Sequence, residues 1–156
     1  MSSILIIGAG GHAKSSIDVI EQTGKYKIYG VINNDPEIKS ILDLKIIGND
    51  NNLEEIRKSC ENAFIGIGQI KSPKTRIKFF EKLKKIDYRL PCIISPNSTV
   101  SRYSNILEAS IIFNNVVVGP NSSIGSNCII NNFSFKTLEL LIVPKQNTRA
   151  NLKYQV

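Results

Sequence analysis

The sequence predicts an α/β protein in two parts, a small parallel-sheet domain over residues 1–90 and a short parallel β-helix over residues 91–135, followed by a non-repeat tail over 136–156. Three observations carry this reading. A continuous apolar run, Ile4 to Ile7, leads straight into the glycine-rich turn Gly8-Ala-Gly-Gly11. Strand-like and helix-like segments then alternate to about residue 88, the grammar of parallel strands joined by crossover helices. Past Pro91 helical spacing stops and an aliphatic residue recurs at every sixth position, which marks a stacked repeat.

Because Ile4 to Ile7 has no polar alternation, it reads as a strand buried on both faces of a parallel sheet. From His12 to Thr23 the apolar residues Ala13, Ile17, Val19 and Ile20 fall at helical spacing, and Gly24 is placed to end that helix. Lys27 to Ile32 reads as a second strand, Asn33-Asn-Asp-Pro36 as its loop, Lys45 to Ile47 as a short third strand and Asn52 to Cys60 as a helix. Ala63 to Ile67 is a fourth strand and Pro73 to Lys85 the next helix. Around that helix Lys71, Lys74, Arg76, Lys78, Lys82, Lys84 and Lys85 interleave with Ile77, Phe79, Phe80 and Leu83. The cluster reads either as a solvated face or as a first turn that attracts an anion.

In the second part Ile94, Val100, Ile106, Ile112, Val118, Ile124 and Ile130 stand in phase without a miss. Four positions after each come Ser98, Ser104, Ser110, Val116, Ser122, Cys128 and Ser134. In a β-solenoid each six-residue side points one aliphatic inward and sets a small residue near the corner. Asn97, Asn115, Asn121, Asn127, Gly119 and Gly125 are predicted to take the corner conformations. At three hexads to a triangular coil the stack makes just over two coils, fewer than the roughly three repeats a solenoid usually needs. It must therefore be capped by the 136–156 tail, through Leu138, Leu140, Leu141 and Val143, or covered by another subunit. Ile111, Phe113 and Val117 fall off the inward phase and are predicted to point outward onto such an interface. A homo-oligomer, weak rather than tight, is the expectation.

Composition excludes several classes. The 156 residues contain no apolar run near the roughly 20 needed to span a bilayer, and Met1-Ser-Ser3 supplies no basic segment of a secretion signal. Cys60, Cys92 and Cys128 are odd in number, widely spaced and without a partner His, which fits neither a disulfide framework nor a metal site. The expected location is cytoplasmic. Net charge is +7, but the basic excess is spread over both halves, so no nucleic-acid partner is expected.

Gly8-x-Gly10-x-x-Ala13 matches the nucleotide-binding fingerprint of a Rossmann-like domain, with a strand before it and a helix after. Its glycines either let the backbone approach a phosphate, with the helix dipole stabilising the charge, or only make a tight turn. A dinucleotide site wants an acidic residue at the end of the second strand, where Asn33 and Asn34 stand with Asp35 just past them. The single short α/β unit suits a mononucleotide or nucleotide-sugar better than NAD. His12 is the only histidine; it either bonds locally at the helix start, contacts the ligand or serves as a base. Lys14, in the same turn, either neutralises phosphate or points to solvent. No nucleophile pairs with a sequence-supported base, and no carboxylate cluster suggests a metal.

Gly8-Ala-Gly-Gly-His-Ala-Lys14, Asn33-Asn-Asp-Pro36, Ile67-Gly-Gln-Ile-Lys-Ser-Pro73 with Arg76, and Ile94-Ser-Pro-Asn97 at the head of the hexads resemble the NeuD/PglD-type sugar acyltransferases. The resemblance covers residues 3 to about 132. It implies a Rossmann-like domain that binds a sugar, often nucleotide-activated, and a left-handed β-helix of hexapeptide repeats that forms trimers and binds acetyl-CoA as co-substrate. It implies further that Gly8, Gly10, Gly11, His12 and Lys14 line the phosphate or sugar site, that Asp35 faces the base, and that Gly68, Gln69 and Arg76 lie at the same crevice. The implied products are acetylated sialic acids or amino sugars of bacterial surface glycans. In that family further coils follow, and a catalytic His with a neighbouring acid stands shortly after the position of Asn132. Here Phe133-Ser-Phe-Lys-Thr-Leu-Glu-Leu140 holds no His. The expectation is thus a truncated or frame-shifted sugar acetyltransferase without its base and with doubtful coenzyme binding, against a non-catalytic nucleotide-sugar-binding or oligomerisation module and, third, a small NAD(P)-dependent enzyme.

Overall fold

The computed structural model describes residues 1–70 and 72–136. Apart from Lys136, the expected tail and the capping role of Leu138, Leu140, Leu141 and Val143 lie outside those residues. Among the described residues no helix is long and apolar enough to cross a membrane.

Five strands build the first sheet: β1 (Ser2–Ile7), β2 (Tyr26–Ile32), β3 (Ser40–Ile41), β4 (Leu44–Gly48) and β5 (Asn62–Ile65), in the order β3-β4-β2-β1-β5. All pairings are parallel except β3 with β4, a hairpin turned near Leu42, whose φ is 51°. That hairpin is absent from the sequence expectation because a two-residue strand has no periodicity to detect. Helices α1 (Gly11–Thr23), α2 (Leu53–Arg57) and α3 (Lys74–Lys85) connect the strands. α2 is shorter than the expected 52–60 helix. A 3-10 turn at Asp50–Asn52, capped by Asn49, uses the residues before it. Gly24 ends α1 as expected, in the left-handed region at φ 62°, with its N–H donating to the Glu21 carbonyl.

β1 is buried on both faces, and its side chains divide by parity. Ile4 and Ile6 face Ala13, Ile17 and Ile20 of α1, whereas Leu5 and Ile7 face Leu53, Phe79 and Leu83 from the two other helices. This two-sided burial is what the unbroken apolar run encodes.

From Ile93 onward eight two-residue strands follow at six-residue intervals: β6 (Ile93–Ile94), β7 (Thr99–Val100), β8 (Asn105–Ile106), β9 (Ile111–Ile112), β10 (Val117–Val118), β11 (Ser123–Ile124), β12 (Ile129–Ile130) and β13 (Phe135–Lys136). They stack as three parallel ladders, β6-β9-β12, β7-β10-β13 and β8-β11, so each coil takes three hexads. The seven in-phase aliphatics meet in one core with Val116 and Cys128. The corner residues in the left-handed region are Ala109, Asn115, Asn121, Asn127 and Phe133, all with φ of 59° or 60°. Asn115, Asn121 and Asn127 stand where expected. Asn97, Gly119 and Gly125 are not in that conformation: the two glycines stand one residue after the inward aliphatic rather than three, and Asn97, which does stand at three, lies in a turn closed by Ser95, whose Oγ accepts from Asn97 N. Ala109 and Phe133 adopt it without the local hydrogen bonding that lowers the cost for Asn.

The outward apolar side chains correct one expectation. Ile111 (0% exposed) and Phe113 (5%) do point away from the solenoid core, but they pack into the cluster of Ile17, Val19, Ile20 and Ile4 of the same chain. The chain's own α1 covers them, so they offer no surface to a second subunit. Val117 is only half-buried. Asn97 Nδ2 donates to Gln22 Oε1 (3.2 Å) across that junction, and the Lys84–Glu108 ion pair (2.8 Å) ties α3 to the solenoid.

Candidate functional site

A crevice of about 520 Å³ opens at the carboxyl ends of β1, β2 and β5, the edge at which open α/β sheets take their ligands. Gly8 is required there: its φ is 97°, and a Cβ at that position would lie 2.9 Å from Ile67 Cγ1. Gly10 is different. It sits at the N-cap with φ −84°, and a Cβ would meet nothing within 4 Å. The residue expected to shape the turn therefore tolerates a side chain, and its bareness matters only to whatever approaches from the crevice.

α1 begins at this point with no side-chain cap and no acidic residue in its first turn. Its first N–H groups have no intrahelical partner, and the positive end of its dipole faces the crevice. Among the described residues no Lys or Arg lines it, while the opposite wall carries Asn33, Asn34, Asp35 and Asp50. An anionic group is thus favoured at the helix end, where backbone donors meet it. A group rich in hydroxyl or N–H donors suits the carboxylate end. That rim is held by its own bonds: Asp35 Oδ1 accepts from Glu37 N (3.0 Å), and Asn34 Oδ1 accepts from Asp50 N (3.1 Å).

Of the residues named from the sequence, Gly8, Gly10, Gly11, His12, Asp35 and Gly68 line this crevice together. Three do not. Lys14 and Gln69 are exposed outside it. Arg76 is fully buried, with its guanidinium committed to four backbone carbonyls; it faces inward on α3 because it follows the helical spacing of Phe79 and Leu83. Sequence reasoning missed Asp50, Thr75 and Phe79 as lining residues. The signal for Asp50 is its place just past β4, the strand beside β2, so that it arrives at the same sheet edge.

A second, smaller crevice of about 240 Å³ lies where α1 meets the solenoid, lined by His12, Ser15, Phe113, Asn131 and Asn132. His12 lines both cavities. Its ring stands edge-on to Phe113 at 5.7 Å, and its Nε2 is buried with no hydrogen-bond partner among the described residues. Burial, reinforced by the Arg76 charge, pulls its pKa down to about 4. The imidazole is therefore neutral at physiological pH, and its unpartnered nitrogen is buried between the two cavities that the residue lines.

Residues 3–83 match the PglD N-terminal domain family. No curated protein sequence matches the chain. Among solved structures, perosamine N-acetyltransferase from Caulobacter crescentus in complex with CoA and GDP-perosamine superposes with a TM-score of 0.79 at 26% identity, over 87% of this chain and 63% of that one. A His-to-Asn variant of the same enzyme, with the same ligands, gives 0.80 at 26% identity. The acetyltransferase domain of PglB from Neisseria gonorrhoeae, in complex with acetyl coenzyme A, superposes at 0.78 with 23% identity over 85% of this chain and 63% of that one, a likeness of fold alone. The chain spans under two thirds of the length of these structures.

Proposed function

The chain belongs to the PglD N-terminal domain family, and from that premise we propose that it is the acceptor-binding part of an acetyl-CoA-dependent sugar acetyltransferase whose substrate is a nucleotide-linked amino sugar. The observation that carries the reading is the crevice itself, with an uncapped helix start at one end and the Asn33, Asn34, Asp35 and Asp50 wall at the other. The diphosphate lies against Gly10, Gly11 and the first turn of α1, and the nucleoside lies toward Asp35. The sugar then points past His12 to the cavity lined by Asn131 and Asn132. The 26% identical Caulobacter enzyme, with GDP-perosamine and CoA bound, supports this class of acceptor and donor. A cytoplasmic setting, where nucleotide sugars and acetyl-CoA are present, belongs to the same proposal.

Acyl transfer to an amine needs a proton acceptor of suitable basicity. His12 is the one histidine, and a group with a pKa near 4 is a weak base for an ammonium. This favours a second reading of these 156 residues, a nucleotide-sugar-binding module that does not itself turn over. Self-association through the solenoid is also proposed. Leu107 and Phe135 stand exposed on the two faces that α1 leaves uncovered, and light scattering over a dilution series tests it. The proposed acceptor is tested by thermal shift with GDP- and UDP-linked amino sugars beside NAD(H) and NADP(H). Stabilisation by a nucleotide sugar and none by the dinucleotides is the expected result; the reverse pattern overturns the reading.

A further inference from the structure

Arg76 is the only charged residue fully buried among the described residues, and no described carboxylate pairs with it. Its counter-charges are carbonyl dipoles from both halves of the chain. Nη1 donates to Ile65 O (2.5 Å) and Ile67 O (2.9 Å), Nη2 to Ala109 O (3.0 Å) and Nε to Asn127 O (3.2 Å). The first two acceptors bracket Gly66 on the crevice floor. The other two belong to left-handed corners on successive coils. A guanidinium offers several donors in a rigid plane and reaches all four; an ammonium on a flexible stem cannot.

His12 lies beside this junction, within reach of the Arg76 charge. On the crevice side a Cβ on Gly68 would touch His12 Cβ at 3.3 Å, and on the solenoid side the ring meets Phe113. We propose that Arg76 is the positioning residue for His12, fixing the separation between crevice floor and solenoid corner and so holding the imidazole in place between the two cavities that it lines. The proposal does not depend on which ligand the crevice takes. Among the described residues the polar and charged groups around His12 are Ser15 from α1, Arg76 from α3, Asn131 and Asn132 from the solenoid, and Asp35 and Asp50 across the crevice, while Lys14 beside it on α1 is exposed.

With a single histidine in the chain, proton NMR follows one imidazole Cε1–H resonance through a pH titration of the whole protein. The parent is expected to show a midpoint near 4. Arg76→Lys keeps the charge and loses the fork, whereas Arg76→Met loses both. If Arg76 positions the ring, both substitutions open this junction to water and raise the midpoint by at least about one pH unit. A depressed midpoint kept in Arg76→Lys but lost in Arg76→Met would show that only the charge acts and would overturn the proposal, as would no change in either variant. Should Arg76→Met fail to fold, the parent and Arg76→Lys decide alone, with methyl chemical shifts as the check on folding. A parent midpoint near 6.5 also overturns it, because the ring would then not be held out of water.

Discussion

Ile111→Ala tests whether the solenoid's apolar outer face is an internal seam. The side chain is 0% exposed and packs among Ile17, Val19, Ile20 and Phe113. Truncation removes three carbons, about 2.4 kcal/mol of transfer free energy at about 0.8 kcal/mol each. A residual cavity raises the cost toward 3–4 kcal/mol, inside the roughly 2–5 kcal/mol range for such changes. With an m-value of about 2 kcal/mol/M in urea, the midpoint should fall by about 1.5–2 M. Val117→Ala, on a half-buried outward position, serves as the reference and should cost about 1 kcal/mol or less. The assay is urea unfolding followed by circular dichroism at several protein concentrations. A loss for Ile111→Ala that is independent of concentration supports an intrachain seam. A near-zero loss, or one that shrinks on dilution, would refute it, since the residue would then be stabilised by another subunit.

Gly8→Ala places a side chain at φ 97° and 2.9 Å from Ile67 Cγ1; we expect a loss of about 1–3 kcal/mol in thermal or urea unfolding, and an unchanged melt would contradict the tight-turn geometry. His12 has its folded-state pKa lowered from 6.5 to about 4. The unfolded chain then holds the extra proton between those values, so stability contributed by the neutral ring is present above pH 6.5 and lost as pH falls toward 4, by about 3 kcal/mol at most. His12→Asn should flatten that part of the stability profile relative to the parent, and identical profiles would show an ordinary histidine. The purified chain with acetyl-CoA and a nucleotide-linked amino sugar should show no acetylation above the uncatalysed background by mass spectrometry. Robust turnover would mean that His12, despite its lowered pKa, or another group of these residues serves as the base.

Legibility followed how local each determinant is. β1, the glycine turn, α1 and the seven hexads are written in short-range patterns of burial and spacing, and the chain folds as those patterns direct. The β3–β4 hairpin and the length of α2 were not legible, because two-residue strands and capped 3-10 turns leave almost no periodic trace. Six of the nine expected site residues sit together because they belong to the strand–turn–helix unit or to the loops after β2 and β5 at the same sheet edge. Arg76 misled for a definite reason. An arginine on a lysine-rich helix gives no sign in sequence that its neighbours in space are four carbonyls drawn from residues 65 to 127. The fate of Ile111 and Phe113 is likewise a tertiary matter. Their outward direction follows from the hexad phase, but the surface that covers them is α1, about 90 residues earlier in the chain.

The central claim, a nucleotide-sugar held at the bare start of α1, is tested most directly by calorimetric titration of the parent and of Gly10→Val with a GDP- or UDP-linked amino sugar. Gly10 has φ −84° and open space where a side chain would go, so the substitution should leave the melting temperature nearly unchanged while its methyls occupy the path of the phosphate. Saturable binding to the parent, weakened at least about tenfold in Gly10→Val, which is about 1.4 kcal/mol, is the expected result. Equal affinity in the two proteins, or no nucleotide sugar bound by the parent, would contradict it.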